Sequence, residues 1–415
     1  MTNIFYRLGV GIYHLVIRII AAFNPKAKAW VDGRKDNIER LKNWRITLKN
    51  DTPLLWMHCA SLGEFEQGRP VLEQFRKQFP QYKIALSFYS PSGFEQRKNY
   101  NGADWVGYLP ADSNKNAHEW LGVLQPSLVI FVKYEFWVAH LAALFEAKIP
   151  GFLIAASFRE DQLFFKWYTS FFRQLLHGFE YIFTQSQKDI ELLKTIHIHK
   201  AVFAGDPRVD RVLEIAAKAE SVPEINDFKG TEKLLIAGSS WPPDEDILLT
   251  DQKYWAKNWK LLIVPHEVND RHISQVCNKI KLPSIRFSDI QLDTNLSEIR
   301  IMVLDKIGML SKVYRYANLA YIGGGFGTSI HNTLEPAAFN LPIFIGPKYH
   351  KFPEAVAFIE QKGAFLIKNK EDFHKHFSTL CLDENRQKAS RIIQQYMDMN
   401  KGATEQIMKG IKKWA

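Results

Sequence analysis

Cysteine is scarce and unpatterned. Cys59, Cys277 and Cys381 are the only three in 415 residues, far apart and with no CxxC or CxH pairing. That argues against a disulfide framework or a structural zinc and points to a reducing compartment. Acidic residues are missing from the first 23 positions, MTNIFYRLGVGIYHLVIRIIAAF. No small-residue cleavage site comes after them, which speaks against a cleaved secretory signal. Nor are they an unbroken apolar run: Arg7, His14 and Arg18 interrupt a length that is otherwise about enough to cross a hydrocarbon core. The glycine-rich stretch at 323–339, GGGFGTSIHNTLEPAAF, lacks the GxGxxG spacing, so no ordinary dinucleotide fingerprint is present there.

What the chain has in excess is positive charge, in one place. Residues 1–49 hold ten Lys/Arg against three acids, a net +7 of the total +10, leaving +3 for the other 366 residues. A basic stripe over the whole surface is absent, so a nucleic-acid partner is not expected. On a helix of about 100° per residue, Arg7, Gly11, His14 and Arg18 share a narrow arc, and the rest of the wheel is almost wholly apolar. This predicts a membrane-associated amphipathic helix over 1–23, with a basic connecting segment, 24–50, behind it. Such a helix lies in the headgroup layer with its arginines on an anionic membrane surface. A tilted span with snorkelling arginines and a buried helix of a soluble protein are the other readings.

From residue 52 the pattern changes. LLWMHCA (54–60), KIALSFYS (83–90), LVIFVKY (128–134), GFLIAAS (151–157), YIFTQS (181–186) and AVFAGDP (201–207) are short apolar runs alternating with amphipathic segments such as 65–79 and 136–148. A polar stretch ending in KAESVPEINDFKG separates them from KLLIAGSSW (233–241), KLLIVPHE (260–267), IMVLDKIG (301–308), LAYIGGG (319–325) and LPIFIGP (341–347). Alternation of this kind predicts two successive doubly wound α/β domains with a cleft between them. Ligands of such sheets bind at the carboxyl ends of the strands, and nearly every polar or glycine-rich motif sits at such an end.

Four of these motifs carry chemistry. In HCASLGEFEQGRP (58–70), Glu64 opens a helix after a strand. It is either a structural cap or a general base for a sugar hydroxyl. In IAGSSWPPDEDI (236–247), Ser239 and Ser240 with the amides after them can hold a phosphate. The acids at 244–246 resemble a metal pair, but Pro242-Pro243 places them in a first helical turn, where acids are ordinary, and no metal is expected. In VPHEVNDRH (264–272), His266 and Arg271 suit an anion or, equally, a solvated loop. In the 323–339 stretch a helix is expected to start near Ser329–Asn332. Gly324 lies in the glycine turn, His331 and Asn332 near a phosphate, and Glu335 where it can accept from a ribose diol.

Taken in order, SLGE (61–64), YLPAD (108–112), YEFW (134–137), GSSW (238–241) and GGGFGTSIHNTLEPAAFNLPIFIGP (323–347) resemble the 3-deoxy-D-manno-octulosonic acid (Kdo) transferases of Gram-negative bacteria. The resemblance covers nearly the whole chain, including NPKAKAWVDGRK (24–35) after the N-terminal segment. It implies a GT-B glycosyltransferase, two Rossmann-like domains facing a central cleft. The expected division is an acceptor-binding domain at 51–213, a linker at 214–232, a nucleotide-sugar-binding domain at 233–400, and a helix at 401–415 packing back on the first domain. It implies an inverting, metal-independent transfer of Kdo from CMP-Kdo to the lipid A precursor (lipid IVA) in lipopolysaccharide synthesis, without a cofactor, at the cytoplasmic face of the inner membrane.

By the same resemblance, Glu64 is the general base, while Glu135 and Arg208 stabilise the transition state. CMP contacts fall on Pro265, His266, Ile307, Gly308, Met309, Asn332, Thr333, Leu334 and Glu335. Ser239, Ser240, Arg271, Gly324 and His331 join them from the residue-level reading. The chain departs from the family pattern at Lys133, Arg208 and His266, and at Ala155-Ala156-Ser157. Two rivals stand beside this: a GT-B transferase using a UDP-sugar on a lipid acceptor, and a non-catalytic membrane-bound nucleotide-binding protein.

Overall fold

In the computed structural model, which describes residues 4–133, 137–166 and 169–415, every apolar run predicted to be a strand is one. The first sheet contains β1 (Leu54–Cys59), β2 (Lys83–Phe88), β3 (Trp105–Tyr108), β4 (Leu128–Val132), β5 (Gly151–Ala156), β6 (Tyr181–Thr184) and β7 (Ala201–Phe203), in the order β3-β2-β1-β4-β5-β6-β7. The second contains β8 (Lys233–Ser240), β9 (Trp259–Pro265), β10 (Ser284–Arg286), β11 (Ile301–Val303), β12 (Leu319–Ile322), β13 (Ile343–Ile345) and β14 (Ala364–Leu366), in the order β10-β11-β9-β8-β12-β13-β14. All pairings are parallel.

Helices cover both faces of the first sheet, so its strands are apolar throughout instead of alternating. Leu54, Trp56, Val129 and Phe131 point into one core; Leu55, Met57, Ile130 and Val132 point into the other. Trp56 is fully buried with its ring 5.7 Å from Trp120. Burying one such side chain contributes roughly 2–3 kcal/mol. Three strands go beyond the predicted runs: β3, β10 and β14. Each is an edge strand of three or four residues, too short for a distinct apolar run.

The chain divides into two compact units, Met1–Asp210 with Asn400–Ala415, and Arg211–Met399. The segment expected as a linker, 214–232, is instead mostly helical, within Pro207–Lys218 and Pro223–Lys229. The Val222 amide there donates to the Tyr316 hydroxyl at 2.7 Å, inside the second unit. Its polar composition is that of solvent-facing helices. The last helix, Ala403–Ile411, belongs to the first unit. Ile407, Met408 and Ile411 join the core of Val71 and Phe75, and Asp210 accepts from the amides of Gly402 (2.6 Å) and Thr404 (2.7 Å).

The N-terminal segment forms α1 (Ile4–Ile20), α2 (Pro25–Asp32) and α3 (Asn37–Arg45). Asn24 caps α2 by accepting from the amides of Lys26 and Ala27, with Pro25 in the first turn. The side chains α1 turns inward are Tyr6, Val10, His14 and Ile17. His14 therefore leaves the lipid-facing stripe expected of it. Its ring packs 5.0 Å from Trp30, and burial, with Arg34 nearby, lowers its pKa. A helical wheel shows which residues share an arc, not which way the arc points. Outward lie Leu8 (58% exposed), Ile12 (62%), Leu15 and Ile19, with Arg18 and Gly11 also exposed. Among the described residues no single helix is long and apolar enough to cross a membrane. Leu8–Ile20 and Pro25–Arg45 have that length and apolarity only together, and they are bent by 119°.

Candidate functional site

In each sheet the strand order reverses once, between β1 and β4 in the first and between β8 and β12 in the second. A crevice opens outside the carboxyl ends of the strands at such a switch point. Glu64 and the segment 133–137 come after β1 and β4; residues 239–241 and 323–335 come after β8 and β12. Both groups of motifs thus lie at switch points. Three non-glycine residues adopt left-handed backbone at strand ends here: Lys133 (φ 71°), Ala155 (φ 50°) and Ser239 (φ 51°). Strain of this kind gathers at functional sites.

In the first unit, Ser61 caps α4 (Leu62–Gln78), accepting from the Glu64 amide at 3.4 Å. Glu64 is buried, and its Oε2 accepts from the Ala60 amide at 2.5 Å. Ser61 is thus the helix cap, while the Glu64 carboxyl ties the backbone just before the helix and is fixed by that bond at the switch point. Glu135 lies outside the described residues. The residue closing its segment, Trp137, donates from Nε1 to His58 Nε2 at 2.8 Å. His58 in turn meets Ser87 Oγ through Nδ1 at 2.8 Å, and burial, then the neighbouring His140, lowers its pKa to about 3. It is neutral, with its proton on Nδ1, since Trp is a donor only. Arg208 is fixed by the buried Asp206, its Nε 3.0 Å from Oδ2 and a terminal guanidinium nitrogen 2.6 Å from the same oxygen.

In the second unit the glycines of 323–325 make room for other backbone. A Cβ on Gly323 would lie 2.2 Å from the Ser239 carbonyl oxygen, and one on Gly325 would lie 2.5 Å from Gly346 Cα. Gly324, at φ +89°, donates its amide to Asp244 Oδ2 at 3.0 Å. Beyond the glycines, the helix expected from Ser329–Asn332 is not formed. Those residues are loop, and the helix there is a single turn, Leu334–Ala337. The His331 amide donates back to the Gly323 carbonyl, and Asn332 Oδ1 accepts from the Leu334 amide at 3.0 Å. Pro336 and the three-residue strand β13 soon afterwards leave no length for more.

Ser240 also departs from expectation. It is fully buried, and its hydroxyl donates to Glu245 at 2.9 Å, so it does not face a ligand; Ser239 is half-buried. Asp244 accepts from the Trp241 amide, from Tyr321 Oη and from Gly324, while Glu245 Oε2 lies 3.0 Å from His272 Nε2. These acids are aimed at protein donors, and among the described residues no cluster of metal-ligating side chains occurs.

The strand ends do bring three rings together. His266 stacks on Trp241 (4.8 Å between centroids) and on His331 (4.4 Å), and Trp241 Nε1 donates to His331 Nε2 at 3.1 Å. Burial, then His266, lowers the His331 pKa to about 4. Its neutral ring therefore offers Nδ1–H as a donor. Pro265 is buried at the end of β9; Arg271 is exposed on the next helix. Ile307 is 87% exposed beside Gly308 (φ +82°), with Met309 half-buried. Leu334 is buried, and Thr333 is buried with an unpartnered hydroxyl. Burial raises the Glu335 pKa against the bond it accepts from Asn332 Nδ2 at 3.0 Å. Asp112 and His58 stand inside the motifs YLPAD (108–112) and HCASLGEFEQGRP (58–70) but carried no expected role there, and His140 lies outside the motifs; their signal is a polar side chain within or beside an apolar run.

Two doubly wound parallel domains with polar motifs collected at their switch points define the GT-B fold class. The family described as 3-deoxy-D-manno-octulosonic-acid transferase (kdotransferase) matches residues 35–211. The chain is 26% identical over 333 residues to a 3-deoxy-D-manno-octulosonic acid transferase of Aquifex aeolicus, covering 79% of this chain and 85% of that one. It is 25% identical over 374 residues to the enzyme of the same name from Haemophilus influenzae, 86% of each. Among solved structures, a UDP-GlcNAc 2-epimerase from Neisseria meningitidis shares the fold, with TM-score 0.57 at 15% identity, over 87% of this chain and all of that one. These matches support the Kdo transferase family, the family model over 35–211 and the relatives over most of the chain.

Proposed function

We propose that the protein transfers Kdo from CMP-Kdo to a lipid A precursor, lipid IVA, in lipopolysaccharide synthesis. The observation that carries this reading is the placement of family motifs at the switch points of both sheets, with Glu64 at one and the 323–335 block at the other. The acceptor hydroxyl attacks the anomeric carbon as the bond to the CMP phosphate oxygen breaks, and Glu64 takes the hydroxyl proton. The phosphate keeps the bonding electrons and leaves with its negative charge. One displacement inverts the anomeric centre. Glu335 and Asn332 are the ribose and nucleotide contacts. His266 and the His331 Nδ1–H meet the anionic part of the donor, and Arg208, oriented by Asp206, meets developing charge. The carboxylates of Asp244 and Glu245 already serve protein donors, which supports a reaction without a divalent cation.

The apolar outer face of α1 and the basic segment behind it support docking on the anionic cytoplasmic surface of the inner membrane. The experiment is incubation with CMP-Kdo and lipid IVA, with mass spectrometry counting the sugars on the product. No mass gain, together with UDP outcompeting CMP for the protein, would sink the reading.

A further inference from the structure

Helix Val138–Glu146 starts without a cap of its own, because its N-cap residue, Trp137, makes no side-chain cap bond. The first-turn amides, which have no partner within a helix, are met from elsewhere in the unit. Ala139 donates to Asp112 Oδ2 at 3.0 Å and His140 to Asp112 Oδ1 at 3.1 Å. The His140 ring adds a bond from Nδ1 to Oδ1 at 2.7 Å. The Tyr6 hydroxyl donates to Asp112 Oδ2 at 2.6 Å. Asp112 and His140 are both buried. The cap is therefore the Asp112 carboxylate, and that carboxylate is held in turn by a phenol from α1, 106 residues before it.

The capped turn comes directly after the segment 133–137, at the carboxyl end of β4 on the switch point of the first sheet. Trp137, the last residue of that segment, is tied to His58 and lies with its ring 4.2 Å from Tyr89. On the opposite side of α1 from Tyr6 lie the exposed Leu8, Ile12, Leu15 and Ile19. One helix thus presents an apolar face to its surroundings and, from its other face, a hydroxyl to the carboxylate that caps helix Val138–Glu146.

We propose that Tyr6 is a positioning residue: by holding the Asp112 carboxylate that caps helix Val138–Glu146, it couples the seating of α1 on a lipid surface to the placement of Trp137 and the first turn of that helix at the switch point. This rests on the Kdo-transfer reading for its consequence in turnover. Seating α1 holds Tyr6 against Asp112, the first turn of the helix stays closed, and Trp137 at its start stays on His58 and Tyr89. Withdrawal of α1 opens the cap.

The test uses the full-length protein, with and without vesicles of phosphatidylethanolamine and phosphatidylglycerol, as parent and as Tyr6→Phe, which removes the hydroxyl alone. In the parent, vesicles should slow amide hydrogen exchange at residues 138–140, and in Tyr6→Phe exchange there should be about ten-fold faster and indifferent to vesicles. Turnover of CMP-Kdo should fall about ten-fold in kcat with KM for CMP-Kdo and vesicle sedimentation unchanged. Asp112→Asn should reproduce the same split between kcat and KM. Parent-like exchange and kcat in Tyr6→Phe would overturn the proposal, as would a loss of kcat matched by loss of vesicle binding. Absence of Kdo transfer by the parent would count against the assigned reaction only, since the exchange measurement decides the coupling without turnover.

Discussion

Trp241 Nε1 donates to His331 Nε2 at 3.1 Å, joining residues 90 apart in sequence, and His266 stacks on both rings. The three residues come after three different strands, β8, β9 and β12, so only the parallel sheet brings them to one place. The bond settles the tautomer of His331 and leaves its Nδ1–H as the donor, at the switch point where the anionic part of a nucleotide sugar is expected.

Glu64→Gln should keep CMP-Kdo affinity and lose transfer by about 100-fold or more, the usual contribution of a general base. The Gln side chain can still accept from the Ala60 amide, so that bond persists and the melting temperature should be close to parental. Calorimetry of donor binding beside a product assay checks this. Turnover near the parent's would remove Glu64 from the chemistry.

Glu335→Ala should weaken CMP binding by about ten-fold or more. Hydrogen bonds to a charged group are each worth about 1.5–3 kcal/mol, and the substitution also frees Asn332, whose Nδ2 now donates to Glu335. Titration calorimetry with CMP measures it. Unchanged affinity would reduce Glu335 to a partner of Asn332.

Gly323→Ala should destabilise the second unit by roughly 3 kcal/mol, because the added Cβ would sit 2.2 Å from the backbone oxygen of Ser239 and two strand ends would have to part. For a unit of this size, that is a fall of about 6–12 °C in melting temperature, read by calorimetry. Little change would mean that β8 and β12 separate more readily than their packing indicates.

His58 makes the first unit acid-sensitive. Its folded pKa of about 3 lies below the ordinary value of 6.5. Between these two pH values the unfolded chain binds the extra proton. The stability His58 contributes is therefore complete above pH 6.5 and falls as pH drops, by about 1.4 kcal/mol per pH unit. Urea midpoints at pH 7, 6 and 5 should decline more steeply for the parent than for His58→Gln. Parallel slopes would show that His58 does not titrate with unfolding.

The strands were legible because an all-parallel sheet buries both faces and writes each strand as one continuous apolar run, LLWMHC or KLLIVP. β10 and β14 were not, because SIR and AFL, three-residue edge strands, carry too little apolar sequence to stand out. The 323–339 block was legible as a glycine turn ahead of Glu335. Its glycines suggest space cleared for a ligand, yet they admit the backbone of Ser239 and Gly346. Ser240 looked available for a phosphate because nothing local shows that Glu245 takes its hydroxyl.

The two βα series, the asymmetry of charge, the apolar wheel of α1 and the order of the motifs could be read along the chain, since each of these is local or periodic. Packing alone turns His14 inward against Trp30, folds segment 214–232 into helices of the second unit, and sets the Tyr6 hydroxyl on the Asp112 carboxylate that caps a helix beginning at residue 138. The reason is physical. Periodicity reports which residues share a face, whereas the partner that satisfies a buried amide, hydroxyl or carboxylate is chosen by packing between segments a hundred residues apart.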